Sequence, residues 1–371
     1  MNLSYWETKT WFSNIDFCVI GSGITGLNCA LNLKNRFPKS KVLVLERGTL
    51  PNGASTKNAG FACFGSVSEI LDDLNSHTEE EVMQLIQKRL KGLNLLRKNL
   101  GDRNIGYKEY GGYELFTKED QPFFEDCKAK LPELNKMLKP VFGDFVFSIQ
   151  KNNFGFRNIQ KKLIFNQFEG QLNTGRMMET LLHKVQKAGI KILNNITVEE
   201  FIETKNAVNI KTDKLEFSAK KLLIATNGFS EKLGIAQVKP ARAQVVITKP
   251  IKDLGLKGTF HLDKGYYYFR NIDDRILFGG GRNLDFKSEE TTEMAQTDLI
   301  QRKLEELLST TVLPETSFEI DQRWSGIMGV GKQKNPIVKQ ISENVYCGVR
   351  LGGMGVAIGT LVGKELSELI E

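Results

Sequence analysis

Ile15-Asp16-Phe17-Cys18-Val19-Ile20-Gly21-Ser22-Gly23-Ile24-Thr25-Gly26 is the stretch on which the fold turns. Phe17 to Ile20 is a short apolar run that stops at glycine, as a strand buried on both faces does. Beyond the glycines, Ile24, Leu27, Ala30, Leu31 and Leu33 recur at helical spacing, and Lys41-Val42-Leu43-Val44-Leu45-Glu46 is a second buried strand. Strand, helix and strand in that order form a βαβ unit, which implies an α/β fold with a parallel sheet. The turn itself carries G-x-G-x-x-G. Gly21 permits the tight bend, Gly23 lets a pyrophosphate approach the backbone, and Gly26 lets the helix pack on the strand. Ser22, Ile24 and Thr25 complete the turn, whose free amides face the anion. Glu46 stands 20 residues beyond Gly26. There its carboxylate accepts ribose hydroxyls and repels a 2′-phosphate, which favours FAD or NAD over NADP. Arg47 weakens that exclusion and is a further candidate cofactor contact.

Two other small-residue stretches bear on the same ligand. In Gly53-Ala54-Ser55-Thr56-Lys57-Asn58-Ala59-Gly60 few side chains keep backbone amides from a flat ring or a phosphate; the bland alternative is a surface loop. Leu351-Gly352-Gly353-Met354-Gly355-Val356, preceded by Arg350, lies between the strand Asn344-Val345-Tyr346-Cys347-Gly348 and a helix bearing Ile358, Leu361, Val362 and Leu366. Glycines ahead of a helix suit an N-terminus whose partial positive charge faces a reduced flavin at O2 and N1.

Elsewhere Val82, Leu85, Ile86, Leu90, Leu93 and Leu96 mark one amphipathic helix, and Met177, Met178, Leu181, Leu182 and Val185 mark another after Asn173-Thr174. Such stripes are core faces. Lys191-Ile192-Leu193 and Leu222-Leu223-Ile224-Ala225 read as further strands of the first domain. From Arg242 the texture changes. Gln244 to Thr248 is a strand, Tyr266 to Arg270 and Arg275 to Phe278 form an antiparallel hairpin about Asn271–Asp274, and Ile300, Leu304 and Leu308 add a helix. The expected architecture is a Rossmann-like FAD-binding domain over 1–100, 158–235 and 322–371, interleaved with an antiparallel-sheet substrate domain over 101–157 and 236–321.

With 371 residues, 40% hydrophobic and 26% charged, the chain is globular and long enough for two cores. The net charge of +7 is spread in short pairs such as Lys161-Lys162 and Lys220-Lys221. That is a solvated surface that attracts anionic substrates, and no nucleic-acid partner is expected. The five cysteines form no C-x-x-C pair and no metal spacing, which suits reduced thiols in the cytoplasm. Met1 to Phe12 lacks the basic-then-apolar pattern of a signal peptide, and no run approaches the ~18 apolar residues of a membrane span.

On these residues the chain resembles the D-amino-acid oxidase superfamily of flavoenzymes, in the style of glycine oxidase, sarcosine oxidase and gamma-glutamylputrescine oxidase, from about Ile15 to the C-terminus. Gly53 to Gly60 is similar to G-A-S-x-x-N-G-G, Ile224-Ala225-Thr226-Asn227-Gly228 to the A-T-G-like strand end, Pro240 to Gln244 to P-x-R-x-Q, and Leu351 to Gly355 to the G-x-G-G-x-G turn. The resemblance implies FAD, with Ala225 and Thr226 beside it and the Val198 backbone at the adenine. Arg323-Trp324-Ser325-Gly326-Ile327-Met328 lacks the cysteine that tethers flavin in sarcosine-oxidase-like members, so noncovalent FAD is expected. Met328-Gly329 stands where amino-acid oxidases commonly carry a carboxylate-binding arginine. Leu277 is near the place of the lysine that assists oxygen, which leaves both oxygen and another electron acceptor open.

The implied reaction is oxidation of a small amine or amino acid by hydride transfer to flavin N5, giving an imine, without an obligatory protein base. Oxidation of a 2-hydroxy acid, a flavin-binding protein without turnover and an NAD-dependent enzyme are the alternatives. An RNA-linked amine is a further one, against which the missing aromatic-basic tract counts. Tyr266, Tyr268 and Arg270 alternate onto one face of the hairpin, where Arg270 either clamps a carboxylate or sits exposed beside aromatic packing. His261 is a proton acceptor, a polar anchor or a structural histidine.

Overall fold

In the computed structural model, which describes residues 2–371, the chain builds two eight-stranded sheets. Met1, the first residue of the segment read for a signal peptide, lies outside the described residues. Ile15–Ile20 is central in the first sheet, parallel to Val42–Leu45 on one side and Glu216–Ile224 on the other. Lys191–Leu193 and Val345–Val349 extend it, again in parallel. These strands read as continuous apolar runs because both faces are covered. Val19, Val44 and Leu223 look toward the helices, whereas Cys18, Leu43 and Leu222 look toward the other layer. Along its other edge Glu216–Ile224 serves two further partners: its first half pairs antiparallel with Val208–Thr212, its last residues parallel with Val345–Val349.

The helical face carries the turn helix (Ile24–Arg36), the long helix (Glu79–Leu100), Thr174–Lys187 and the closing helix (Gly355–Glu368). The closing helix lies against both the turn helix and the long helix, with a glycine at each crossing, Gly363 against the turn helix and Gly92 against the long one. A Cβ built on Gly363 would stand 2.4 Å from the backbone oxygen of Thr25.

The second sheet runs in the order Ile320–Val330, Lys239–Thr248, Arg275–Gly280, Tyr267–Ile272, Thr259–Leu262, Gly112–Leu115, Lys162–Asn166, Phe147–Lys151. Its neighbours are antiparallel except Thr259–Leu262 with Gly112–Leu115. The expected hairpin forms, and its two turn residues, Asp273 and Asp274, have φ of 48° and 57°, the conformation that matches a right-handed strand twist. Phe260, Phe269 and Phe278 sit side by side across three strands, Phe260 and Phe269 stacked at 4.7 Å, and the helix Asp298–Leu307 covers that face.

Two stretches within the ranges expected for the cofactor domain, Lys162–Asn166 and residues 322–330, pair into this sheet. Lys162–Asn166 pairs with Phe147–Lys151, and Ile320–Val330 pairs along Lys239–Thr248 from Lys239↔Val330 to Thr248↔Ile320. Both are set by pairing with strands that carry no mark of it in sequence. The helix Gln121–Phe142, which interrupts the second sheet, had no reading at all.

Since the Thr25 oxygen is backbone and cannot rotate away, Gly363→Val is expected to separate the two helices. The cost is about 1–3 kcal/mol, seen as a lower thermal midpoint with the secondary structure retained by circular dichroism.

Candidate functional site

A cavity of about 610 Å³ runs between the two sheets. Three helices begin on its wall: the turn helix behind Gly23, a short one, Ala54–Lys57, behind Gly53, and the closing helix behind Met354. None is capped by the side chain of its own N-cap residue, whereas Val67–Leu74, Glu79–Leu100 and Thr174–Lys187 are capped by Ser66, Thr78 and Asn173. Uncapped starts leave amide donors and the positive end of the helix dipole facing the cavity, an arrangement for anions. Ser55 ties two of them together, its hydroxyl accepting from Ile24 N at 2.9 Å.

Glu46 is fixed at one end. Ser22 donates through its hydroxyl (2.7 Å) and its amide to one carboxylate oxygen, and Gly48 N donates to the other (2.9 Å). Arg47 lies 3.6 Å over the ring of Phe229 in the same region, and Val198 lines it too. The small-residue loop is no floppy segment: its middle is the short helix, and Asn58 Oδ1 accepts from Gly60 N and from the Thr174 hydroxyl. At the far end Asn227 Oδ1 accepts from the amides of Arg350 and Leu351, holding the last glycine bend against the strand end that carries Ala225 and Thr226.

Most of the residues expected at the cofactor line this cavity, namely Gly21, Gly23, Ile24, Thr25, Glu46, Arg47, Ala54, Ser55, Asn58, Ala59, Gly60, Val198, Ala225, Thr226 and Gly352 to Gly355, and so do His261, Tyr266 and Tyr268. Five do not. The Ser22 hydroxyl is spent on Glu46, and the Thr56 hydroxyl on the carbonyl of Pro51. Gly26 faces Gly21, where a Cβ would stand 1.9 Å from the carbonyl oxygen. Arg350 turns its Nε to the Asn335 carbonyl.

Arg270 is the fifth. It is 2% exposed, and its guanidinium donates to the backbone carbonyls of Ala59 and Leu172. The alternation of the strand does place it on the cavity side, but the small-residue loop reaches it first. Burial lowers it to about 10, so it stays charged at neutral pH. Arg270 clamps the protein's own loop.

His261 was readable as a proton acceptor; its surroundings make it a cation. Its Nε2 lies 2.6 Å from Glu169, with Phe61 edge-on at 5.2 Å. Burial pulls the imidazole down, but Glu169, helped by Glu69 and Glu114, outweighs burial and raises it to about 9. Glu169 also accepts from the Thr259 hydroxyl at 2.7 Å. Sequence reasoning missed Glu169, 92 residues away from His261. It also missed Asn227 as a tether, although that residue lay inside the A-T-N-G stretch it singled out. Nor did it find Phe229, Cys63, Glu69, Arg89 or Arg282, which line the cavity. Only Phe229 and Cys63, close behind motifs already quoted, carried any signal.

The residues fit a dinucleotide. Besides the three helix starts, the hydroxyls of Thr25 and Thr226, two residues that line the cavity, are buried without a partner among the described residues. The geometry thus defines a dinucleotide-binding α/β protein whose second sheet closes over the ligand. Residues 16–369 match the DAO family, described as FAD dependent oxidoreductase, and the chain belongs to that family. It is an FAD-dependent oxidoreductase.

Among curated proteins it is 24% identical to gamma-glutamylputrescine oxidoreductase of Escherichia coli, over 96% of this chain and 83% of that one. It is 22% identical to a probable oxidoreductase, OrdL, of Haemophilus influenzae, over 97% and 84%. Glycine oxidase from Geobacillus kaustophilus shares its fold with a TM-score of 0.76 at 18% identity, covering 96% of this chain and 95% of that one. L-proline dehydrogenase from P. horikoshii does so at 0.70 and 19%, covering 96% and 93%.

Two outcomes are expected here. Arg270→Met strands two buried carbonyls, at about 1–3 kcal/mol each; it should weaken FAD retention on a desalting column and lower the thermal midpoint. The raised His261 favours the fold fully below pH 6.5, its ordinary value, and loses that contribution as the pH climbs through about 9. The midpoint should therefore fall across that window in the native protein and change less in His261→Gln.

Proposed function

We propose that this enzyme oxidises a small amine or amino acid, in which hydride passes from the carbon next to nitrogen to the N5 of noncovalently bound FAD and an imine results. The observation that carries the reading is the continuity of one cavity. It joins the three open helix starts to a sheet face bearing Tyr268 and His261. A ligand seated along the glycine turns therefore has its far end enclosed by the second sheet.

Around that end the protein orients the substrate and excludes water. Phe61 and Tyr268 meet edge-on at 5.6 Å, and burial pushes the Tyr268 hydroxyl up to about 12, so it remains a donor. His261 favours an amine over a 2-hydroxy acid. An alcohol must lose its O–H proton as hydride departs, and an imidazole raised to about 9 holds its own proton at neutral pH. An amine that arrives unprotonated needs no such base.

Noncovalent attachment is supported by Ile327 and Met328 in the stretch where a tether would sit. Cys63, the one cysteine on the cavity wall among the described residues, has a thiol that burial holds well above its usual range. Five free and buried cysteines support a reducing compartment, the cytoplasm. No helix of the described residues is long and apolar enough to cross a membrane. Leu277 is packed against Ala59 and Val245, which leaves no cation at that point to assist oxygen and favours another electron acceptor.

Acid precipitation of the purified protein is expected to leave the yellow colour in the supernatant. Under anaerobic conditions its flavin absorbance should bleach on adding amines or amino acids and persist with 2-hydroxy acids. Bleaching by hydroxy acids alone, or by nothing in the panel, overturns the reading. Admitting air or a dye to the bleached protein then identifies the acceptor by which restores the colour faster.

A further inference from the structure

The parallel strands of the first sheet start at one edge, and their far ends lead into the turns that line the cavity. The starting edge gathers lysines that lie far apart in sequence. Lys41 precedes Val42–Leu45, Lys191 opens Lys191–Leu193, and Lys220 and Lys221 stand beside the beginning of Ile15–Ile20. Lys34 lies in the last turn of the turn helix, with Lys39 just beyond. Lys39, Lys220 and Lys221 line an open depression of about 450 Å³. Several of these ammonium groups donate to backbone carbonyls: Lys34 to Ser40 (2.7 Å), Lys41 to Ser13 (2.6 Å) and Lys191 to Thr10. A carbonyl satisfies a hydrogen bond and leaves the charge in place. The acids nearby offset only part of it. Asp16 is paired with Lys220 (2.8 Å), Glu368 with Lys364 (3.5 Å), and Glu371 lies at the depression. Glu7 accepts from the Ser4 amide (2.8 Å), and Glu343 gives Lys221 only its carbonyl (3.1 Å).

The segment 4–12 coils along the same edge into Ser13. Phe12 packs inward on Phe217, 5.5 Å away, and Lys191 lies 4.3 Å over the ring of Trp11. Tyr5 and Trp6 turn outward. They are 66% and 69% exposed, their rings meet edge to face at 5.2 Å, and Lys9 stands 5.5 Å over Tyr5. Single exposed rings are ordinary on a protein surface. Two adjoining ones beside a field of lysines suit one kind of partner. Tyrosine and tryptophan, apolar with a polar tip, settle at the headgroup level of a bilayer, and lysines are drawn to its anionic lipids. A single-stranded nucleic acid calls for rings spaced along a basic groove, whereas Tyr5 and Trp6 project together from one turn of helix.

We propose that this edge docks on a bilayer of anionic phospholipid, with Tyr5 and Trp6 in the headgroup layer and the lysines facing its charge. The inference stands apart from the amine-oxidation reading, and it needs no spanning segment. Because the cavity lies at the opposite ends of the strands, docking leaves it clear of the lipid.

The flavin-loaded protein is sedimented with vesicles of equal parts phosphatidylglycerol and phosphatidylcholine, and with vesicles of phosphatidylcholine alone. The salt is kept at ~0.1 M, where exposed charges still act over about 10 Å. Binding to the anionic vesicles is expected to be at least tenfold tighter, to weaken as salt rises and to leave the flavin spectrum unchanged. The double variant Tyr5→Ser, Trp6→Ser should bind them at least tenfold more weakly. Lys9→Gln and Lys39→Gln should each cost about fivefold. All four side chains are exposed, so the thermal midpoint should hold in every variant. Equal binding to the two kinds of vesicle, or none to either, overturns the proposal. So does anionic binding that survives in the double variant, or that alters the flavin spectrum and so places the contact at the cavity. Retention on polyuridylate, or self-association abolished by the double variant, in the absence of vesicle binding assigns the edge to RNA or to a second copy of the chain and overturns it as well.

Discussion

An α-helix starts with amides that have no partner inside the helix, and the whole arrangement depends on three such starts facing one cavity. Val67–Leu74, Glu79–Leu100 and Thr174–Lys187 are capped by the side chains of Ser66, Thr78 and Asn173. The N-cap residues ahead of Ile24, Ala54 and Gly355 supply none, and of these first amides Ile24 N is met by the Ser55 hydroxyl. Donors left open in this way favour the native fold most when an anionic ligand occupies the cavity, so cofactor binding and stability are linked. The helix starts can converge only because helices approach closely, and the glycines at their crossings are what permit it.

Polar residues around the cavity divide into those that hold the protein together and those that face the ligand. Arg270 and Ser22 are the first kind. Each has the chemistry of a binding residue, yet each spends its hydrogen bonds on the chain itself, Arg270 on the loop at Ala59 and Ser22 on Glu46. Positioning of this sort is what keeps a cofactor cradle in one geometry. His261 and Glu169 stand between the two kinds. Burial alone would make the imidazole neutral, but a carboxylate at hydrogen-bond distance makes it a fixed cation on the cavity wall.

The second sheet also explains why the cavity is closed at one end. Its far face is sealed by the ladder of Phe260, Phe269 and Phe278 under the helix Asp298–Leu307. That packing leaves the near face free to be shaped by the ligand's needs, with Tyr268, Val245 and Ala243 on the cavity wall.

The βαβ unit, the open turn at Gly21 to Gly26, the acidic residue at Glu46 and the glycine bend before the last helix were all legible in the amino-acid order. Each is local: its period, its glycines and its spacing lie within a few tens of residues, and backbone sterics leave few ways to read them. The hairpin about Asp273 and Asp274 was legible for the same reason. Three things were decided only in the folded chain. Lys162–Asn166 and Ile320–Val330 joined the second sheet because strands distant in sequence offered them partners. Arg270 became a clamp because a loop from residues 59–60 arrived before any ligand could. The charge of His261 was set by Glu169, which nothing in the order of residues connects to it. Periodicity and turn chemistry act along the chain, whereas burial, ion pairing and the spending of hydrogen bonds depend on what comes together in space.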